Sequence, residues 1–171
     1  MKQLFLSLVF CTLSFASFDD INSFKADFTQ SVTDEKNKIL TYEGSIVASR
    51  PQNAMWNYAK PIKKEVFISL NNITIIEPEI EQVIVRNVES HFDFFNMIKN
   101  AKKIKEDTYT ATYKESIFTI TTKNALIKSI SYVDEFDNKV KIVFKNQKQN
   151  ERIDEQIFTP NIPLDYDIIQ D

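Results

Sequence analysis

Gly44-Ser45-Ile46-Val47-Ala48-Ser49-Arg50-Pro51-Gln52-Asn53-Ala54-Met55-Trp56-Asn57-Tyr58-Ala59-Lys60-Pro61 sets the fold of this chain. A strand-like run over Thr41–Ala48 is cut by an arginine and a proline. An aromatic strand over Ala54–Tyr58 follows, and a second proline closes it. Proline has no N–H to give to a ladder, so Pro51 belongs at a turn or an exposed edge. That holds Arg50 at the rim of a sheet, where its guanidinium can reach backbone carbonyls of a neighbouring element. An arginine at such a turn is ordinarily just solvated, so its surroundings have to argue for anything more.

Downstream, the pattern predicts strands over 64–70, 73–77, 82–88, 108–113, 116–121, 126–133 and 139–145. In the last of these Val140, Ile142 and Phe144 alternate with Lys139, Lys141 and Val143, as in a half-buried antiparallel strand. Asn71-Asn72, Lys123-Asn124 and Asp137-Asn138 supply turns, because Asn and Asp tolerate left-handed backbone where glycine is missing. Upstream, Phe18, Ile21, Phe24 and Phe28 recur at three- and four-residue spacing among acidic and polar residues, which predicts an amphipathic helix. A second helix is expected over 90–103, where Phe92, Phe95 and Ile98 are helically spaced and Ser90 could cap. No linker or repeat divides the chain, so one domain is expected. It is a curved antiparallel sheet or barrel with helices over one face or its opening.

Lys2 is followed by an apolar run from Leu4 to Phe15, and Ser14 and Ala16 fit a cleavage site. Residues 1–16 therefore read as a secretory signal peptide, too short to span a membrane, and 17–171 as the mature domain. Cys11, the chain's one cysteine, leaves with the leader. A lipoprotein signal is disfavoured because bulky Phe10 precedes Cys11. The mature domain then has no disulfide and no thiol chemistry. It also has one basic residue fewer than the full chain's 21, against 24 acidic. That balance disfavours nucleic acid and a polybasic grip on anionic lipid. The composition is rich in aromatics, with 14 Phe and 6 Tyr beside a single Gly, enough to fill a dense core or to line a cavity.

Catalytic chemistry is poorly supported. His91 is the sole histidine, no Cys/His cluster offers metal spacing, and a lone Gly44 rules out a glycine-rich phosphate loop. Glu77, Glu79 and Glu81 alternate, but Pro78 interrupts them, and acidic turn residues are the simpler reading. Neither a cofactor nor a metal is expected.

Five segments, in order, resemble the LolA family of periplasmic outer-membrane lipoprotein carriers. These are Phe24-Lys25-Ala26-Asp27-Phe28-Thr29-Gln30, Glu43-Gly44-Ser45-Ile46, Arg50-Pro51 with Trp56-Asn57-Tyr58 and Pro61, Glu81-Gln82-Val83, and Phe158-Thr159-Pro160 through Asp165. The resemblance implies a mostly β (α+β) fold: an incomplete antiparallel barrel with a lid of two or three α-helices over a hydrophobic cavity. It implies a monomeric periplasmic chaperone without enzymatic activity. Such a chaperone takes lipoproteins by their acyl chains from an inner-membrane ABC transporter of the Lol type and passes them to the outer membrane, to an acceptor where one exists. It implies that Arg50 latches the lid by hydrogen-bonding its backbone. Met55, Trp56, Val66, Ile68, Phe92, Phe95 and Met97 are the expected cavity lining.

Two departures stand out. Leu70-Asn71-Asn72-Ile73 replaces a glycine turn, and the lysine-rich stretch 89–106 lacks a clear match. Rival readings are an envelope-stress module that senses misplaced lipoprotein on the same fold, and a secreted hydrolase using the carboxylates of Glu77, Glu79 and Glu81.

Overall fold

The structure, a computed structural model, describes residues 18–69, 72–87 and 93–170, apart from the side chain of Asp19. The proposed signal peptide, His91, Ser90 and Phe92 lie outside the described residues. Twelve strands form one sheet: β1 (Ser23–Thr33), β2 (Ile39–Ser49), β3 (Asn53–Lys60), β4 (Lys64–Ser69), β5 (Asn72–Glu77), β6 (Gln82–Asn87), β7 (Lys102–Lys105), β8 (Thr108–Tyr113), β9 (Ser116–Lys123), β10 (Leu126–Val133), β11 (Lys139–Gln149) and β12 (Asp167–Gln170). A six-residue helix, α1 (Phe94–Lys99), precedes β7. The order across the sheet is β12-β6-β5-β4-β3-β2-β1-β11-β10-β9-β8-β7. Every pairing is antiparallel except β12 on β6.

The sheet is strongly curved, and α1 shows by how much. The helix packs on β8, while its Phe94 and Phe95 share a small cavity with Ile68 of β4. β4 and β8 are seven strand positions apart in the sheet. At ~4.8 Å per step a flat sheet would separate them by roughly 34 Å, yet a helix is only about 10–12 Å across. The sheet therefore wraps around the helix.

Alternation assigns the two faces. Phe24, Ala26 and Phe28 of β1, Ile46 and Ala48 of β2, Phe118 and Ile120 of β9 and Val140, Ile142 and Phe144 of β11 meet on the concave side with Phe95, Met97 and Ile98 of α1. On the convex side a smaller cluster, Phe67, Ile76 and Val83, packs with Met55 and Val85 under Ile162 and Tyr166 of the C-terminal segment. Asn37, Asp107, Asn124 and Asp137 take positive φ in the turns between strands, and Asn146 does so inside β11 where its pairing with β1 is irregular, the role a glycine-poor sequence gives to Asn and Asp.

The helical expectations need correcting. The expected N-terminal helix is a short 3-10 turn at Phe18–Asp20 followed by the eleven-residue strand β1. A four-residue spacing such as Phe24 to Phe28 is one helical turn, but also two strand pleats. Buried Ala26 between exposed Lys25 and Asp27 makes it the latter. The second helix starts at Phe94, where Asp93 Oδ1 accepts the Asn96 N–H at 2.9 Å. Among the described residues α1 is the sole α-helix, so of the expected lid of two or three α-helices one short helix is seen on the concave face.

Candidate functional site

The β2–β3 turn, Arg50-Pro51-Gln52, meets two other parts of the chain. The Arg50 backbone N–H donates to the Asn22 carbonyl at 2.9 Å, and its side-chain Nε donates to the Ile21 carbonyl at 3.0 Å. The guanidinium carbon lies 5.3 Å from the centre of the Phe95 ring on α1. Gln52 Nε2 approaches Asp93 Oδ2, the capping residue of that helix, at 3.4 Å. A planar cation can satisfy a carbonyl at its edge and an aromatic face at once, which a lysine would do less well. One turn thus ties the N-terminal segment and α1 to the rim of the sheet.

Beneath α1 the concave face is packed nearly shut. Ile46, Ala48, Ala54, Trp56, Ile68, Phe94 and Phe95, with Gln52 and Asn53, enclose a cavity of about 40 Å³. A water molecule occupies about 30 Å³ of liquid, so no acyl chain fits without α1 moving. Phe24 stacks edge-on with Phe94 and Phe144 at 5.9 and 5.1 Å and seals the same region.

Away from α1 the same face becomes amphipathic. Phe28 packs edge-on against Trp56 and Tyr58 at 5.0 and 5.1 Å, and Tyr42 meets Tyr58 at 5.7 Å. Tyr58 donates its hydroxyl to Gln30 Oε1 at 3.0 Å. Burial pushes the Tyr58 phenol up to about 12, with Tyr132 and Tyr42 adding to it. Tyr132 is raised too, by burial and then by Asp134. Gly44 makes this cluster possible. A Cβ there would fall on the Asn57 carbonyl oxygen and lie 2.9 Å from Cζ of Phe28.

Trp56 and Ile68 border the cavity under α1, with Phe95 above them. Val66 pairs with Trp56 across β3–β4 and shares its face. Met97 is buried in the concave cluster and also borders a groove of about 350 Å³ between α1 and β8. Met55 points the other way, into the convex cluster with Phe67, because adjacent residues of a strand face opposite sides. The sequence alone assigns no site role to Gln52, Asp93, Tyr42, Tyr58 or Phe28. The signals were present: Asp93 precedes an apolar run as an N-cap does, and the lone glycine stands where an aromatic neighbour needs room.

Glu77 ends β5, while Glu79 and Glu81 lie in and just after the 3-10 turn Pro78–Ile80. Glu79 Oε1 accepts the Lys63 N–H at 3.4 Å, the behaviour of a turn carboxylate. Among the described residues no group of three or more His, Cys, Asp or Glu could hold a metal, and no helix is long and apolar enough to cross a membrane.

Comparison with known proteins places this architecture. A family profile described as outer membrane lipoprotein carrier protein LolA matches residues 19–108. An outer-membrane lipoprotein carrier protein of Campylobacter jejuni is 38% identical over 171 residues, covering 99% of this chain and 100% of its own. The protein of the same name from Wolinella succinogenes is 31% identical over 159 residues, 92% of each chain. In fold, the chain is similar to an uncharacterised conserved protein of Thermus thermophilus, with TM-score 0.54, 9% identity and coverage of 90% and 93%. It is also similar to a LolA superfamily protein of Nitrosomonas europaea, with TM-score 0.50, 8% identity and coverage of 85% and 94%. The profile match from β1 through β7, and the relatives matched over nearly their whole length, establish that this chain belongs to the LolA family of outer-membrane lipoprotein carriers.

Proposed function

We propose that this protein is a periplasmic chaperone that shields the acyl chains of lipoproteins on their way from the inner to the outer membrane. The observation that carries the reading is the near full-length match to proteins named as outer-membrane lipoprotein carriers. The geometry supports it: an apolar concave face, closed over a cavity too small for cargo, lies under a helix held by a few side chains. Cargo arrives from an inner-membrane ABC transporter of the Lol type and leaves to the outer membrane, and the carrier acts as a monomer.

A closed empty state suits a carrier. One buried CH₂ contributes roughly 0.8 kcal/mol, so an acyl chain of about sixteen carbons gains on the order of 10 kcal/mol. An open, preformed groove would hold that chain too long. Reclosure of α1, with its Phe94 and Phe95, over Trp56 and Ile68 offsets part of the binding energy. In this reading Arg50 is the latch, favouring release by stabilising the closed form through Ile21 and Phe95, and Trp56, Val66, Ile68, Phe95 and Met97 contact the acyl chain.

Inner-membrane vesicles carrying the transporter and a labelled lipoprotein, incubated with this protein and ATP, are expected to yield a soluble one-to-one complex. Label that stays with the vesicles would sink the assignment.

A further inference from the structure

One charged group on the concave face has no role in closing it. Lys64, the first residue of β4, is half-buried and faces Tyr58 across β3–β4. Its ammonium lies 4.8 Å from the centre of the Tyr58 ring and 6.0 Å from that of Tyr42. Among the described residues no carboxylate forms an ion pair with it. Its neighbour Lys60, by contrast, pairs with Glu43 at 3.0 Å in the open. A surface lysine of no consequence would extend into water; this one lies over two phenol rings.

Lys64 also ends an ordered run. Down β4 the concave residues are Ile68, Val66 and Lys64; down β3 they are Ala54, Trp56 and Tyr58. Down β2 they are Ala48, Ile46, Gly44 and Tyr42, and down β1 Phe24, Ala26, Phe28 and Gln30. Each row starts apolar under α1 and ends in a hydrogen-bonding group. From Ala48 to Tyr42 the run is about 20 Å of strand. An apolar floor that ends in hydroxyls, an amide and an ammonium is the complement of an amphiphile: tail at the helix, oxygen-rich head at the lysine.

We propose that Lys64, on its Tyr42–Tyr58 platform, is a head-group site that accepts the carboxyl or ester oxygens at the head of an acyl chain and orients the chain toward α1. The inference rests on the carrier reading above and adds to it a direction of binding and a residue that sets head-group preference. For a diacylated cargo the ester carbonyls of the glyceryl group are the atoms that meet Lys64.

The chain's single tryptophan, Trp56, lies between the two ends and reports on the tail. The probes are 9,10-dibromostearate, its glyceryl monoester and the matching dibromo-alcohol, with bromine quenching of Trp56 as readout. All three should quench the wild-type protein, the two carbonyl-bearing probes at lower concentration. In Lys64→Met the carboxylate should bind about ten-fold more weakly, a charged hydrogen bond's worth, and the ester less so, while the alcohol is unchanged. Lys64→Arg should restore the preference. Equal binding of all three probes by Lys64→Met and wild type, with both proteins folded by circular dichroism, overturns the head site. So does an absence of Trp56 quenching in the wild type. The vesicle experiment answers separately: no soluble lipoprotein complex alongside Lys64-dependent quenching would remove the carrier reading and leave an acyl-binding site. A soluble complex with Lys64-independent quenching would do the reverse.

Discussion

The sheet is covered on both faces, and the two covers are built differently. On the convex side the C-terminal segment crosses β3 and β4, buries Phe158, packs half-buried Ile162 and Tyr166 on the cluster there, and then joins the sheet itself as β12 on β6. On the concave side the cover is six residues of helix, too short to be stable alone. It is attached to the β2–β3 turn through Arg50 on Phe95 and Gln52 on Asp93. A cover stitched in by backbone ladders stays; one held by side chains on an apolar face can lift. The comparison predicts that substitutions on the convex side change stability alone. Those at α1 and its turn should change cargo retention more than stability.

The largest effect tests the floor both covers depend on. Phe24 is fully buried between Phe94 and Phe144, and Phe24→Ala should cost about 4 kcal/mol in urea denaturation. Phe67→Ala, at 6% exposure in the convex cluster, should cost about 3 kcal/mol and leave lipoprotein release unaltered. If Phe67→Ala slows or speeds release at temperatures where it is folded, the two faces are coupled and the division fails.

Arg50→Leu removes the bond to Ile21 and the contact with Phe95. A loss of about 1–2 kcal/mol is expected, with slower release of bound lipoprotein to outer-membrane vesicles. Release at the wild-type rate would leave Arg50 a structural rim residue. Asp93→Ala, which deletes the α1 cap, should cost about 1 kcal/mol and raise amide exchange in α1 while β12 stays protected. Uniform exchange across both covers would contradict their different attachment.

Much of this was legible in the sequence, and the failures have physical causes. Nine strands were found by alternation and Asn/Asp turns, since a half-buried antiparallel strand repeats every two residues. β1 reads as a helix in the sequence because Phe24 and Phe28 satisfy both periods, and Ala26 between them is a weak apolar signal. β7, Lys102–Lys105, and β12, Asp167–Gln170, carry no alternation in their burial because both are exposed edge strands throughout. The Arg50 turn was recognisable as a motif, but its partners were not: Ile21 offers only a carbonyl, and Asp93 is distant in sequence. Met55 was placed on the wrong side of β3 because hydrophobicity alone does not tell adjacent residues apart. Lys64 is hard to read as a site residue for the opposite reason, being a charge where a lining residue would be apolar.

The smallest effect probes how dry the far end of the concave face is in the empty carrier. Burial is the chief cause that pushes the Tyr58 phenol up to about 12 from the usual 10. Between those values the unfolded chain has released this proton and the folded chain has kept it, so stability is whole below pH 10 and falls as pH rises toward 12. Tyr132 shifts in the same direction and adds to the slope. Tyr58→Phe should therefore be less stable than wild type near pH 8, by roughly 1 kcal/mol for the lost bond to Gln30. Its decline above pH 10 should be shallower, read from urea midpoints at stepped pH, with tyrosinate absorbance following the titration. Parallel decline in both proteins would mean that water already reaches Tyr58 in the empty state. The concave face would then stand open at the Lys64 end even while α1 is shut, and cargo could enter head-end last without the latch being the first contact to break.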